Sequence, residues 1–86
     1  MRSFTTAAFR KCFANLPADV RAQARRAYAL FCADPFHPSL HFKQVKDDPV
    51  VFSARVGRSH RALGVRDRDE IVWFWVGTHA EYDAIV

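Results

Sequence analysis

The chain is short of the residues that staple or loosen a small protein. It has two cysteines, Cys12 and Cys32, in 86 residues, so no disulfide framework is available. Both fall on apolar helical stripes and are expected to be buried thiols. The three glycines, Gly57, Gly64 and Gly77, lie far apart, which excludes a glycine-rich phosphate loop. No apolar run reaches the length of a membrane span. The start, Met1-Arg2-Ser3-Phe4-Thr5, runs straight into a folded pattern without the marks of a signal peptide. Together these features fit a reducing cytoplasm and no membrane. There is no internal repeat, linker or low-complexity tract, and the length suits one domain spanning residues 1–86.

What the chain does have is apolar bulk and positive charge. Half of it is hydrophobic, with eight Phe, two Trp and two Tyr, ample for a packed core and too rich for a disordered chain. Thirteen basic residues against nine acidic ones leave a net charge of +4, which favours a polyanionic or acidic partner.

Periodicity supplies the order of elements. Residues 2–5 read as a short strand, with Thr5 or Thr6 placed to cap a helix. Phe9, Cys12, Phe13 and Leu16 recur at helical spacing. Pro17 suits the first turn of a second helix and Asp19 complements its dipole. Val20, Ala24, Ala27, Tyr28 and Phe31 form the second stripe; Arg21, Gln23, Arg25 and Arg26 are expected to face outward. Asp34-Pro35 stops that helix, and the prolines of residues 34–41 are expected to exclude regular structure. A strand is expected over 42–46. Residues 50–57 alternate, with Val50, Phe52, Ala54 and Val56 on one face and Val51, Ser53 and Arg55 on the other. Arg61, Leu63 and Val65 share a face of the next strand, 60–66. Residues 70–77 are apolar on both faces, so that strand is expected to be central and covered on both sides. The tail can add a helical turn. The fold class is α+β: β-α-α-β-β-β, a helical hairpin over one face of an antiparallel meander, the other face open to a ligand.

Several pieces of sequence carry a family likeness: Leu16-Pro17, Asp34-Pro35, Pro38-Ser39-Leu40-His41-Phe42-Lys43, Ser53-Ala54-Arg55-Val56, His60-Arg61-Ala62, and Trp73-Phe74-Trp75-Val76-Gly77-Thr78-His79-Ala80-Glu81-Tyr82-Asp83. In this order and at this spacing the chain resembles, over essentially its whole length, the RelE/ParE superfamily of toxins from bacterial type II toxin–antitoxin modules. The resemblance implies a RelE-like fold and one of two activities. RelE-like members are ribonucleases that cut mRNA in the ribosomal A site without a metal or other cofactor, inhibiting translation. ParE-like members poison DNA gyrase by binding. A third reading is a catalytically silent module that binds an antitoxin or nucleic acid. The fold alone does not choose among them.

Metal-free RNA cleavage needs a base for the ribose 2′-OH, cations for the phosphorane and an acid for the leaving 5′ oxygen. The resemblance places Arg61 at the scissile phosphate, where a planar fork of donors suits a phosphate. Its structural alternative is a salt bridge within the sheet. Arg55 stands on the neighbouring strand, as a second phosphate ligand or a solvated side chain. His79 can act as base or acid, or cap the last turn. Tyr82, three residues on, can act as acid, stack on a base, or anchor the tail. Asp83 is placed to orient His79. Lys43, Lys46 and Arg58 are candidate RNA contacts. His60 is expected to face the opposite side from Arg61. His37 and His41 lie in a proline-broken segment without Cys or carboxylate partners at ligand spacing, so no metal site is expected. The resemblance implies, in some RelE-type nucleases, a glutamate base before the arginine strands and in others several lysines; residues 36–46 contain neither Asp nor Glu and offer only Lys43 and Lys46. Every reading implies a cognate antitoxin as partner, with Arg21, Arg25 and Arg26 as docking charges.

Overall fold

A computed structural model describes residues 1–86. Strand β1 (Arg2–Thr5) is followed by helices α1 (Ala7–Ala14) and α2 (Ala18–Ala33). Strands β2 (Lys43–Asp47), β3 (Val50–Val56), β4 (His60–Asp67) and β5 (Glu70–Thr78) come next, and helix α3 (His79–Ile85) closes the chain. The strands form one sheet in the order β1-β5-β4-β3-β2. The last four make the expected antiparallel meander, while β1 joins parallel to β5.

Local chemistry explains the helix ends. The Thr6 hydroxyl accepts from the Phe9 N–H at 3.0 Å and opens α1. Pro17 precedes α2 with extended backbone, and Asp19 lies in the first turn. Asp34 ends α2. The following segment is not wholly irregular, however. Pro38–Leu40 forms one 3-10 turn, because the His37 ring nitrogen accepts from the Ser39 N–H and Pro38 needs no donor at that position.

The helices cover one face. Leu16, Val20 and Phe31 pack onto Leu40, Ala54, Val56, Ala62, Ile71, Trp73 and Val76. Phe31 sets its edge against Phe42 and Trp73, with centroids 5.1 and 5.3 Å apart. Trp73 Nε1 donates to Ser3 Oγ at 3.1 Å, and the Tyr28 hydroxyl meets the same oxygen at 3.0 Å. Those two bonds tie β1, β5 and α2 together. α1 lies on β5 and α2 on β3, so the hairpin is splayed and a groove of about 460 Å³ opens between the helices and the sheet.

Three residues depart from expectation. Cys32 is exposed and Cys12 only half-buried, because the splayed hairpin leaves the flanks of both helices uncovered. Arg21 is half-buried rather than fully outward, and its guanidinium bends back to donate to the Leu16 carbonyl ahead of α2. β5 is interior but not central: β1 pairs along its outer side, so β4 holds the middle of the sheet.

A bulge on β5 adapts it to both faces. Leu63 pairs with Trp75 and Gly64 with Trp73, which leaves Phe74 unopposed. The strand changes phase there. Ile71, Trp73 and Val76 face the helices, while Phe74 and Trp75 join Val51, Leu63, Val65 and Tyr82 on the other side. Gly64 sits under this crossing. A Cβ there would come within 2.7 Å of Ile71 and 2.9 Å of Trp73, so only glycine lets those side chains close over β4.

Candidate functional site

The face away from α1 and α2 carries the site. β3 alternates as its sequence dictates: Ala54 and Val56 enter the core, which puts Ser53 and Arg55 on the open side. In the β3–β4 register Arg55 stands directly opposite Arg61, and Ser53 opposite Leu63. Opposed side chains in such a pair start about 5 Å apart, and like charges there repel. No carboxylate relieves this pair: the ion pairs of the molecule are Arg2–Glu70, the N-terminal amine with Asp69, and His79–Asp83. The Arg55 Nε donates to the Gly57 carbonyl at 2.9 Å, which holds that guanidinium toward the β3–β4 turn. One nitrogen of Arg61, Nη1, is buried and has no hydrogen-bond partner. A buried charged donor without an acceptor is costly, and an anion is the natural complement.

α3 lies over this pair. Thr78 and Glu81 form a capping box. The Glu81 Oε1 accepts from the Thr78 N–H at 2.8 Å and from its hydroxyl at 2.9 Å, and the Glu81 N–H donates back to Thr78 Oγ1 at 3.1 Å. The bond from the Thr78 backbone, then the one from its hydroxyl, hold the Glu81 carboxyl below its ordinary 4.5, and the nearby His60 charge pulls weakly the same way. The His79 N–H also reaches the Ser59 carbonyl at 2.7 Å, tying the start of α3 to the β3–β4 turn.

That anchoring brings three sequence candidates together. The Arg61 guanidinium lies 5.4 Å from the Tyr82 ring centre. Tyr82 and His79 stack at 5.6 Å with 15° between their planes. His79 Nε2 is 3.8 Å from Asp83 Oδ2, one helical turn on, as the spacing implies. The imidazole is 54% exposed. Tyr82 is buried, its hydroxyl turned inward to a long 3.5 Å contact with Ser53 Oγ. It therefore stands as a platform between guanidinium and imidazole, with its phenol turned away from solvent.

The remaining candidates are more scattered. Lys43 pairs with Ser53 and borders the site from the edge strand, whereas Lys46 pairs with Val51, further from the arginines. Arg58 is exposed at the β3–β4 turn. His60 pairs with Thr78 and lies near Glu81 rather than in the stack. His37 contacts Ser39 Oγ, and no three His, Cys, Asp or Glu side chains gather as a metal site. No helix is long and apolar enough to cross a membrane. Sequence reasoning passed over Ser53, the one fully buried polar side chain of the sheet. Its only signal is a hydroxyl in an otherwise apolar strand beside Arg55.

Comparison with known proteins bears on the fold and the family. Residues 18–84 match the family model of the ParE-like toxin domain. No curated protein matches the sequence. Among solved structures, the RelB–RelE antitoxin–toxin complex from Methanococcus jannaschii is similar at 18% identity and a TM-score of 0.74, over 96% of this chain and 99% of that one. A YoeB/ParE toxin from Agrobacterium tumefaciens matches at 14% identity and a TM-score of 0.69, over 92% and 99%. A toxin–antitoxin complex from Mycobacterium tuberculosis matches at 23% identity and a TM-score of 0.62, over 91% and 96%. The fold is thus shared with these structures, and the chain belongs to the ParE-like toxin domain family.

Proposed function

We propose that this toxin is a metal-independent endoribonuclease that cuts mRNA on the ribosome and so stops translation. The observation that supports it best is the Arg55–Arg61 pair: two cations directly opposed, no counter-ion, one donor buried and unused. A phosphate is the ligand that satisfies such a pair. The chemistry needs no cofactor. The His79 imidazole, oriented by Asp83, takes the proton of the ribose 2′-OH. The 2′ oxygen bonds to phosphorus, the bond from phosphorus to the 5′ oxygen breaks, and water at the exposed site protonates the leaving oxygen. Arg61 and Arg55 hold the charge of the phosphorane. Tyr82 keeps Arg61 and His79 in place. The products are a 2′,3′-cyclic phosphate and a 5′-hydroxyl.

Two of the similar structures are toxin–antitoxin complexes, and a cognate antitoxin is the partner we assign to this chain. The groove between α1 and α2 suits an acidic amphipathic segment. Phe9, Phe13 and Trp73 line it, and Arg10 and Arg25 stand among its lining residues.

A second reading keeps the partner and changes the target: inhibition of DNA gyrase by binding alone. The family model is ParE-like, and residues 36–46 supply no carboxylate base. One experiment separates the two. The chain is expressed from a tight promoter, and RNA ends are mapped while DNA breaks are scored. Fragments with 5′-hydroxyl ends that disappear with Arg61→Ala, a loss of ~10²–10³-fold, support the nuclease. Intact mRNA with gyrase-linked breaks sinks it.

A further inference from the structure

The β3–β4 turn separates the arginine pair from a second cavity of quite different character. This cleft, about 500 Å³, lies between α2 and the turn. Its walls include Gln23, Arg26, Ser39, Arg55 and Arg58, and no Asp or Glu lines it. None of its three arginines is in an ion pair. The cleft is also firmly built. Gly57 takes a φ of 59°, and the Gln23 carboxamide occupies the place a Cβ would need there, so α2 and the turn are in close contact. Arg55, the register partner of Arg61, also lines this cleft, and its Nε bond to the Gly57 carbonyl holds it at the β3–β4 turn.

The charge map of the molecule points the same way. Asp47, Asp48, Asp67, Asp69 and Glu70 surround the β2–β3 and β4–β5 turns at one end of the sheet. The β3–β4 turn lies at the other end, where Arg55, Arg58, Arg61, His60 and His79 collect against Glu81 and Asp83 alone. At the first end Lys46, Arg66, Arg68 and Arg2 offset the carboxylates, whereas the β3–β4 end keeps an excess of cations that draws a polyanion.

We propose that the cleft is a second phosphate subsite. Arg26 and Arg58 there hold the RNA backbone adjacent to the scissile phosphate, and the strand passes from Arg61 by way of Arg55 around the β3–β4 turn. The subsite rests on the nuclease reading for its role, but it makes a binding prediction of its own. Each phosphate neutralised on a single strand contributes about 0.7 to the slope of log affinity against log salt concentration.

The test compares the native chain, the double variant Arg26→Ala/Arg58→Ala, and Arg61→Ala. Affinity is measured by anisotropy over a salt series with a single-stranded RNA of roughly ten nucleotides, and with an oligo-aspartate peptide as the acidic polypeptide probe. The double variant is expected to melt at the native temperature, to bind RNA about tenfold more weakly, and to lower the salt slope by about 1.4. It should retain cleavage at saturating RNA, whereas Arg61→Ala should lose cleavage. An unchanged slope with cleavage intact overturns the subsite and leaves the nuclease standing. RNA that the native chain never cuts sinks the nuclease, and the slope still decides the cleft. A greater loss of oligo-aspartate binding than of RNA binding makes the cleft a peptide site and overturns the proposal.

Discussion

Toward the helices the sheet presents Ala54, Val56, Ala62, Trp73 and Val76; away from them it presents Ser53, Arg55, Leu63 and Arg61. The first face is covered by α1 and α2, with aromatic rings edge-on to one another and a groove left between the helices. The second is roofed only by the seven residues of α3. The difference shows how so small a protein combines a stable fold with a costly site. One face removes apolar area from water, at about 25 cal/mol per Å². The other keeps two unneutralised guanidinium groups side by side and leaves one of their donors unsatisfied.

If this division of labour holds, the largest effect on stability comes from the helix-covered face. Trp73→Ala removes the ring that meets Phe31 and the indole donor to Ser3. It should destabilise the fold by about 3–5 kcal/mol, read as a lower denaturant midpoint; a loss below about 1 kcal/mol would mean that the core does not depend on this contact. On the opposite face the sign should reverse. Arg61→Met keeps the length of the side chain and ends the repulsion with Arg55. Stability should rise by up to about 1 kcal/mol while growth arrest is lost. A marked fall in melting temperature would show that Arg61 is structural.

The smallest effect concerns the roof. The Glu81 carboxyl is held below 4.5 by its bonds to Thr78. Its contribution is therefore complete above 4.5 and fades as pH falls through the lower folded value. Amide exchange in α3 should quicken below pH 4.5 relative to exchange in β4, and Glu81→Gln should remove that dependence. Equal acceleration of both elements would mean that α3 and the sheet open as one unit.

Much of this division was legible beforehand. Alternation in β3 separated Ala54 and Val56 from Ser53 and Arg55, and turn residues marked the meander. The order of elements followed from period alone. Other features were invisible because they depend on contacts distant in sequence. Nothing in Arg2–Thr5 says that it pairs parallel to β5. Nothing in the apolar run of β5 marks Phe74 as a bulge, since every register looks equally hydrophobic. The 3-10 turn at Pro38–Leu40 was hidden by the prolines that usually break structure. Cys32 looked internal because a helical stripe says which side is apolar, not whether anything covers it.

The chain by itself determined the order of its strands and main helices, the two faces of β3 and the spacing that puts Asp83 one turn after His79, since these are matters of local period and sterics. Only the tertiary structure decided that Arg55 and Arg61 stand opposite each other and that α3 folds Tyr82 between Arg61 and His79. The β3–β4 register is fixed only when the turn and the core close together, and docking of α3 joins Arg61 to residues distant in sequence.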